Sequence, residues 1–248
     1  MRKKVVDEIV AAGGEAVVNG DDVGSFDGAK NMIDQAINTW GPLNILVNNA
    51  GILRDRMLVN MTEEEWNSVI NVHLKGTFAP TRHAAAYWRA MSKQSGGKVY
   101  GRVINTSSTS GIYGNVGQTN YGAAKAGIAA FTVIAARELG RFGVTVNAIA
   151  PSAHTRMTDS LREYTEEEIR QRDPKWVSPC VIYLASPDAG DITGRVLQAG
   201  SGMVAVCEGW RRGSQVETLE DVAELGVKIR EMVGQVRKNV GMDGFELD

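Results

Sequence analysis

The chain has 248 residues, of which 43% are hydrophobic and 23% are charged. A chain of this length and composition can bury enough apolar surface to fold as one globular domain without disulfides or a structural metal. Its 27 basic and 29 acidic residues give a net charge of −2, which offers no electrostatic footprint for nucleic acid or for an anionic membrane surface. The longest strongly apolar stretch, 126–136, is too short to span a bilayer.

The first half of the chain alternates between helical patterns and short apolar runs. Helices are predicted at 2–12 and, with Ser25 as N-cap, at 25–40. Strands are predicted at 16–18 and at 44–48, and the continuous apolar run of the second is typical of a strand covered on both faces. This alternation predicts a parallel α/β sheet.

The second half continues the same alternation. A capping box formed by Thr62 and Glu65 opens a long predicted helix, which carries His73 and His83 as interface or surface residues. The predicted helices are 62–91, 118–141, a short one beginning at Ser178, and 218–240, and the predicted strands are 101–107, 144–149, 195–198 and 203–206.

The C-terminal helix carries an apolar stripe at helical spacing. We expect residues 1–210 to form the main domain and residues 211–248 to form a helical extension that packs on that domain or on a partner subunit. The two cysteines, Cys180 and Cys207, lack metal-ligand spacing and indicate reduced thiols in a cytoplasmic protein without a metal site.

The strongest chemical pattern joins one serine to a tyrosine and a lysine on the same helix. Ser108 follows a predicted strand, and Tyr121 and Lys125 have the i,i+4 spacing that places them on one helical face. A free phenol has a pKa near 10, and a neighbouring ammonium favours its ionised form. Tyr121 is therefore predicted to be a general acid/base for an alcohol or a carbonyl, with the Ser108 hydroxyl on the substrate oxygen.

A lone YxxxK pattern is common in ordinary helices, so the prediction depends on the motifs around it. Asn48-Asn49-Ala50-Gly51 directly follows a predicted strand, Asn71 begins the sequence NVHLKG, and Asn147 to Pro151 (NAIAP) closes another strand. Together with Ser108, Tyr121 and Lys125, these motifs resemble the short-chain dehydrogenase/reductase family. Three stretches, Asn48 to Met57, Thr106 to Tyr121 and Ala150 to Thr158, are most similar to the (3R)-hydroxyacyl-CoA dehydrogenase domain of peroxisomal multifunctional enzyme type 2 and its bacterial relatives.

The resemblance implies a Rossmann-like doubly wound parallel sheet and a nicotinamide cofactor, NAD or NADP. It implies that Tyr121 is the catalytic acid/base, that Lys125 lowers the Tyr121 pKa and holds the nicotinamide ribose, and that Ser108 orients the substrate oxygen. Asn71 matches the asparagine that anchors a proton-relay water. The further cofactor-binding positions implied by the resemblance are Asp22, Val23, Asn48, Ala50, Gly51, Pro151 and Thr155.

The sequence departs from the family pattern in two places. Ser152 replaces the usual glycine after Pro151, and Thr155 comes one residue early. The chain also contains neither GxxxGxG nor GxGxxG, the turns that place a helix N-terminus on the cofactor pyrophosphate. We therefore expect the first two family strands and the first helix to be missing from this sequence, with a native start further upstream, and NAD cannot be told from NADP.

The missing strands would lie between the predicted strands 16–18 and 44–48. Either these two strands pair directly, or 44–48 presents an unpaired apolar edge. Two functions follow: an oxidoreductase that interconverts a secondary alcohol and a ketone, on 3-hydroxyacyl-CoA-like or steroid-like substrates, or a catalytically silent domain that only oligomerises. In both cases the resemblance implies a homodimer or homotetramer formed through the helices 62–91 and 118–141.

Overall fold

The computed structural model describes residues 2–155, 164–217, 220–242 and 244–247. Within them, short 3₁₀ turns and one π-helical turn connect the main elements. The strands are β1 (Ile45–Asn48), β2 (Gly101–Thr106), β3 (Val144–Ser152), β4 (Val196–Gly200) and β5 (Met203–Cys207). The helices are α1 (Arg2–Ala11), α2 (Phe26–Trp40), α3 (Glu63–Ile70), α4 (Gly76–Ser95), α5 (Thr109–Tyr113), α6 (Thr119–Leu139), α7 (Glu166–Gln171), α8 (Ser178–Ala185) and α9 (Val222–Gln235).

The five strands form one sheet in the order β1-β2-β3-β4-β5. The first four are parallel, with Ile45 opposite Arg102 and Gly101 opposite Val144, and β5 returns antiparallel to β4. The β4–β5 turn contains Ser201, whose φ of 51° lies in the left-handed region, between two glycines that also have positive φ. The predicted Rossmann-like sheet is confirmed, with an antiparallel last strand.

Helices cover both faces of the sheet, as a doubly wound fold requires. Val103 packs with Trp88 of α4 in a core that also takes residues from α2 and α6, whereas the next residue, Ile104, packs with Leu184 of α8. Successive strand residues point to opposite faces, so β2 lies between two helical layers. Among the described residues, no helix is long and apolar enough to cross a membrane.

The N-terminal region differs from the prediction. Residues 14–20 make no ladder with the sheet, so the predicted strand 16–18 is wrong. Among the residues that the structure describes, strand β1 pairs only with β2, so its other side is an open edge. Ile45 and Val47 are 42% and 45% exposed, so β1 is also not covered on both faces. The physical reason is that α8 contacts β2 and β3 and does not extend over β1.

The long helix predicted at 62–91 is interrupted. Its capping box at Thr62 and Glu65 is present, but a single π-helical turn, Asn71–Lys75, separates α3 from α4. Single π turns inside α-helices are frequent at functional sites. Pro80 inside α4 follows this turn without ending the helix.

The C-terminal helix is shorter than predicted, and its apolar stripe is only partly covered, at Leu225 and Met232. No residue of α9 is buried, and Val222, Ile229 and Val233 are exposed. The prediction that residues 211–248 form a separate helical extension remains a prediction, as does the surface on which that extension packs.

Candidate active site

The catalytic candidates meet at the carboxyl end of β2. Ser108 follows this strand and is the N-cap of α5, where its hydroxyl accepts a hydrogen bond from the Ser110 amide at 3.2 Å. Tyr121 and Lys125 lie in the first two turns of α6. The carboxyl ends of strands in open parallel sheets are where ligands bind, so this position agrees with a catalytic site.

Lys125 is buried against the end of β2. Its Nζ donates a hydrogen bond of 2.6 Å to the Thr106 carbonyl and lies 5.4 Å from the centre of the Tyr121 ring. Burial lowers the pKa of Lys125 to about 7, because a charged ammonium is poorly solvated there. The carbonyl of Lys125 accepts a hydrogen bond from Ser107 Oγ at 2.8 Å, which fixes α6 to the strand.

The pKa of Tyr121 is raised above its usual value. Burial is the main cause and the charge of Asp55 adds to it, while a hydrogen bond with Ser108 acts in the opposite direction. The expectation that Lys125 lowers this pKa stays a prediction, because burial dominates the net shift and the charged form of the ammonium is itself disfavoured.

Helix α5 packs on α6 with almost no space between them. A Cβ on Gly111 would lie 2.5 Å from the Ala126 amide nitrogen and 2.7 Å from the Lys125 Cβ, and a Cβ on Gly122 would lie 3.1 Å from the Ser110 carbonyl oxygen. Position 111 therefore requires glycine for this close approach, and position 122 leaves little space for a side chain. The contact sets the distance of Ser108 from the Tyr121–Lys125 face.

Two buried amides, which the sequence analysis did not identify, hold the segment before α3 against α6. Asn120 Nδ2 donates to the Arg54 carbonyl at 2.9 Å, and its Oδ1 accepts from the Tyr121 amide at 2.7 Å. Gln118 Nε2 donates to Asp55 Oδ2 at 2.8 Å. The sequence signal that could have identified both amides was their position just before Tyr121, because the N-terminal turn of a helix needs polar partners.

The turn at Asp22 and Val23, which the family resemblance assigns to the cofactor, packs on the π-helical turn. Asp22 Oδ1 accepts a hydrogen bond from the Gly24 amide at 2.9 Å, which closes the turn before α2. Val23 lies against Gly76, where an added Cβ would be 2.8 Å from the valine side chain. Asn71 lies against Gly24, where an added Cβ would be 2.2 Å from the amide nitrogen.

A second turn that the resemblance assigns to the cofactor, at Asn48, Ala50 and Gly51, lies at the end of β1. Asn48 is buried, and its Nδ2 donates to Thr81 Oγ1 and to Asn105 Oδ1, both at 2.9 Å. These bonds join the ends of β1 and β2 to α4, so Asn48 holds the turn that follows it. Ala50 is exposed, whereas Gly51 packs against His73.

The third implied turn lies at the end of β3. Strand β3 extends further than predicted, since Pro151 pairs with Ala199 and Ser152 pairs with Gly200. Thr155 is the last residue described before the gap at 156–163. The stretch matched to Thr158 therefore lies partly outside the described residues.

Both histidines that were expected at a surface or interface are buried within the chain. His73 packs on Gly51 and Tyr121, and His83 packs on Phe26 of α2 with its Nε2 3.1 Å from the Phe26 carbonyl. The expectation failed because His73 lies within the π turn and His83 lies after it, and this turn changes the faces to which the residues point.

A sequence profile of the short chain dehydrogenase family matches residues 1–168. The chain belongs to this family. The resemblance inferred from the motifs is thereby confirmed.

Several relatives of this family member carry named activities. Hydroxyacyl-CoA dehydrogenase ChsB1 of Mycobacterium tuberculosis is 50% identical over 201 residues, which cover 77% of this chain and 63% of that protein. Peroxisomal multifunctional enzyme type 2 of Drosophila melanogaster is 47% identical over 199 residues, which cover 80% of this chain and 31% of that protein. The chain thus spans less than two thirds of the length of either relative.

The fold of this short-chain dehydrogenase family member also has a solved counterpart. A crystal structure of a short chain dehydrogenase from Mycobacterium avium matches with a TM-score of 0.87 and 52% identity, covering 96% of this chain and 80% of that one. The five-stranded sheet and its helices are therefore those of the family.

Proposed function

We propose that the protein is an oxidoreductase that interconverts a secondary alcohol and a ketone with NAD or NADP. The observation that carries this proposal is the placement of Ser108, Tyr121 and Lys125 together at the carboxyl end of β2, in a chain of the short-chain dehydrogenase family. When bound, the nicotinamide accepts or supplies the hydride. The chain's own residues supply the proton chemistry.

Tyr121 acts as the acid/base. Because its pKa is raised, the phenol is protonated at neutral pH and is ready to donate its proton to a ketone oxygen during reduction. In the direction of oxidation, the phenol must first lose its proton, which Lys125 favours when it is charged. Ser108 orients the substrate oxygen, and Asn71, at the start of the π-helical turn, anchors the proton-relay path.

A thioester such as a 3-hydroxyacyl-CoA is the substrate class that we infer. Support comes from the named relatives: ChsB1 is a hydroxyacyl-CoA dehydrogenase, and FabG of Thermotoga maritima, 40% identical over 186 residues, is a 3-oxoacyl-[acyl-carrier-protein] reductase. Both names describe oxidation or reduction of an oxygen-bearing acyl chain, and the second name places that oxygen at carbon 3. A steroid-like alcohol is the next candidate.

An assay of the purified chain tests this proposal. Absorbance at 340 nm is followed with NAD⁺ or NADP⁺ at high concentration and a panel of 3-hydroxyacyl-CoAs, a hydroxysteroid and a simple secondary alcohol. We expect oxidation of the 3-hydroxyacyl-CoAs above that of the other two classes. Equal rates for all classes would contradict the thioester proposal, and the absence of any rate would contradict the proposed function.

The residues present fit the two ends of the cofactor better than its middle. Lys125 Nζ donates to Thr106 and retains further N–H groups for ribose hydroxyls, and Asp22, Val23, Asn48, Ala50 and Gly51 provide turns for the adenosine half, with Pro151 and Thr155 for the carboxamide. The sequence contains no glycine-rich turn for the pyrophosphate, and β1, beside which that turn belongs in the family, has an open edge. The nicotinamide end fits, and the phosphate position does not.

We therefore predict weak binding of the dinucleotide. Fluorescence titration of NADH into the 248-residue protein is expected to give a dissociation constant of the order of millimolar, since the fixed-charge contacts of the pyrophosphate are missing. Micromolar affinity would contradict this prediction. The same titration with a short-chain dehydrogenase whose sequence contains the GxxxGxG turn is the positive control.

The open edge of β1 also favours the second candidate function, a domain that only associates. The two candidates differ in one measurable property, because a silent domain shows no turnover at any cofactor concentration. We also infer a homodimer or homotetramer, supported by exposed apolar side chains on the long helices, Phe78 on α4 and Ile134 on α6. Light scattering after size exclusion measures the subunit number, and a monomer would contradict the inference.

A cytoplasmic location is the remaining part of the proposal. It is supported by the two thiols, Cys180 and Cys207, which are both free in the structure.

A further inference from the structure

His73 lies inside the site at the centre of the π-helical turn Asn71–Lys75. Its side chain is only 2% exposed. Because the π turn adds one residue to the helix between α3 and α4, it changes the direction in which the residues after Asn71 point. The turn directs the imidazole toward α6 and the segment after β1.

The imidazole contacts two parts of the site at once. Its Nε2 lies 3.1 Å from the amide nitrogen and 2.7 Å from the carbonyl oxygen of Ile52. On the other side, its ring meets the Tyr121 ring edge to face, with centres 5.1 Å apart and planes at 86°. Gly51 makes this fit possible, since a Cβ there would lie 2.5 Å from His73 Cε1.

The electrostatic surroundings keep this ring neutral. Burial and the nearby charge of Lys125 lower the pKa of His73 to about 4. Among the described residues, Nδ1 has no hydrogen-bond partner that could stabilise a second ring proton. With a neutral imidazole, Lys125 is the group that can carry a positive charge beside Tyr121.

We propose that His73 is a positioning residue for Tyr121. The neutral His73 ring keeps water from one side of the Tyr121 phenol and ties that phenol to the Gly51–Ile52 turn. This inference rests on the proposed function, because it concerns the acid/base of the same site. It goes beyond that function by giving a role to a residue outside the Ser108, Tyr121, Lys125 and Asn71 set. A ring that only fills the core would leave the proton chemistry of Tyr121 unchanged.

The proposal predicts a change at Tyr121 when the ring is removed. Burial is the main cause of the raised Tyr121 pKa, and Lys125, Asp55 and Ser108 are the other groups that act on this phenol. With a small side chain at position 73, water reaches the phenol, and it also solvates the Lys125 ammonium. Both effects favour the phenolate, so the Tyr121 pKa must fall.

The test is a pH titration by NMR with tyrosine labelled with ¹³C at Cζ, in which Tyr121→Phe assigns the signal. We expect the Tyr121 pKa to fall by about half a unit or more in His73→Ser. His73→Gln, whose amide can still bond to both Ile52 groups, is the second variant if His73→Ser does not fold, and it is expected to shift in the same direction. The matched control is His83→Gln, which changes a buried histidine of α4 that also contacts a backbone carbonyl.

A Tyr121 pKa that is unchanged in a folded His73 variant overturns the proposal, as does an equal shift in His83→Gln. This readout does not need turnover, so it is independent of the proposed function. In the assay, we expect kcat to fall about tenfold in the His73 variants with KM little changed, because the substrate contacts remain. If the wild type shows no turnover, the proposed function fails, and the NMR titration still decides the role of His73.

Discussion

Lys125 combines a buried position with a charge that the reaction needs. Its Nζ has the Thr106 carbonyl as a hydrogen-bond acceptor, and burial lowers its pKa to about 7. A small change in the surroundings of the site can therefore change its protonation near neutral pH. The charge that would favour the Tyr121 phenolate therefore titrates near neutral pH.

The same titration affects the free energy of unfolding. The unfolded chain keeps Lys125 protonated up to a pH of about 10.5, whereas the folded chain releases this proton near pH 7. Between these values the unfolded state binds more protons than the folded state, so the contribution of Lys125 to the free energy of unfolding rises with pH. Below pH 7 both states keep Lys125 protonated, and the cost of burying its charge is fully present.

We predict that Lys125→Met removes this dependence. The variant is expected to be more stable than the wild type below pH 7, and this difference disappears progressively between pH 7 and 10.5. Urea unfolding across this range measures the difference. Lys93→Met changes an exposed lysine of α4 and serves as the control. A constant difference between Lys125→Met and the wild type would contradict the prediction.

At the residue scale, the sequence predicted which side chains come together but not their electrostatics. The i,i+4 spacing placed Lys125 beside Tyr121, and the structure has them on one helical face. The spacing did not show that burial raises the Tyr121 pKa, because spacing does not reveal how deeply a side chain is buried. The burial of His73 was also missed, because it lies in a π turn and such a turn has no clear sequence signal.

At the scale of elements, the contact between α5 and α6 determines the geometry of the site. Gly111 lets α5 approach the α6 backbone, and α5 begins at Ser108. A methyl group at position 111 must separate the two helices and therefore also move Ser108 away from Tyr121.

We predict that Gly111→Ala destabilises the protein by about 1–3 kcal/mol, the usual cost of overpacking, and lowers kcat. Thermal unfolding and the 340 nm assay measure the two effects. The matched control is Gly226→Ala in α9, where an added Cβ meets nothing within 4 Å, and it should be neutral or slightly stabilising. An unchanged melting temperature in Gly111→Ala would show that the helices can separate freely.

The sequence predicted most elements of the fold to within a few residues. Strands β1 to β5 and helices α2 and α6 all correspond to predicted segments. The predicted strand at 16–18 failed because a strand forms only when a neighbour pairs with it, and none of the five described strands pairs with this segment. Apolar pattern alone does not show whether such a neighbour exists.

At the scale of the whole molecule, the open edge of β1 is the main liability. Ile45 and Val47 are half-exposed on this edge, and unpaired edges with apolar side chains are sites of edge-to-edge association.

We predict that Val47→Lys reduces aggregation of the protein on heating, because a lysine on an edge strand opposes pairing with another strand. Light scattering during a temperature ramp measures this. Val59→Lys, which adds the same charge at an exposed valine in a 3₁₀ turn, is the control and should have little effect. Equal protection by both variants would attribute the effect to net charge rather than to the edge.

The central claim is that Tyr121 is the acid/base of a nicotinamide-dependent oxidoreductase site. The most direct test is the turnover of Tyr121→Phe with a 3-hydroxyacyl-CoA at saturating cofactor, together with NADH binding by the same variant. We predict a loss of kcat of about a hundredfold or more with unchanged cofactor affinity, because only the proton-transferring hydroxyl is removed. A variant that keeps a rate close to that of the wild type would contradict the claim.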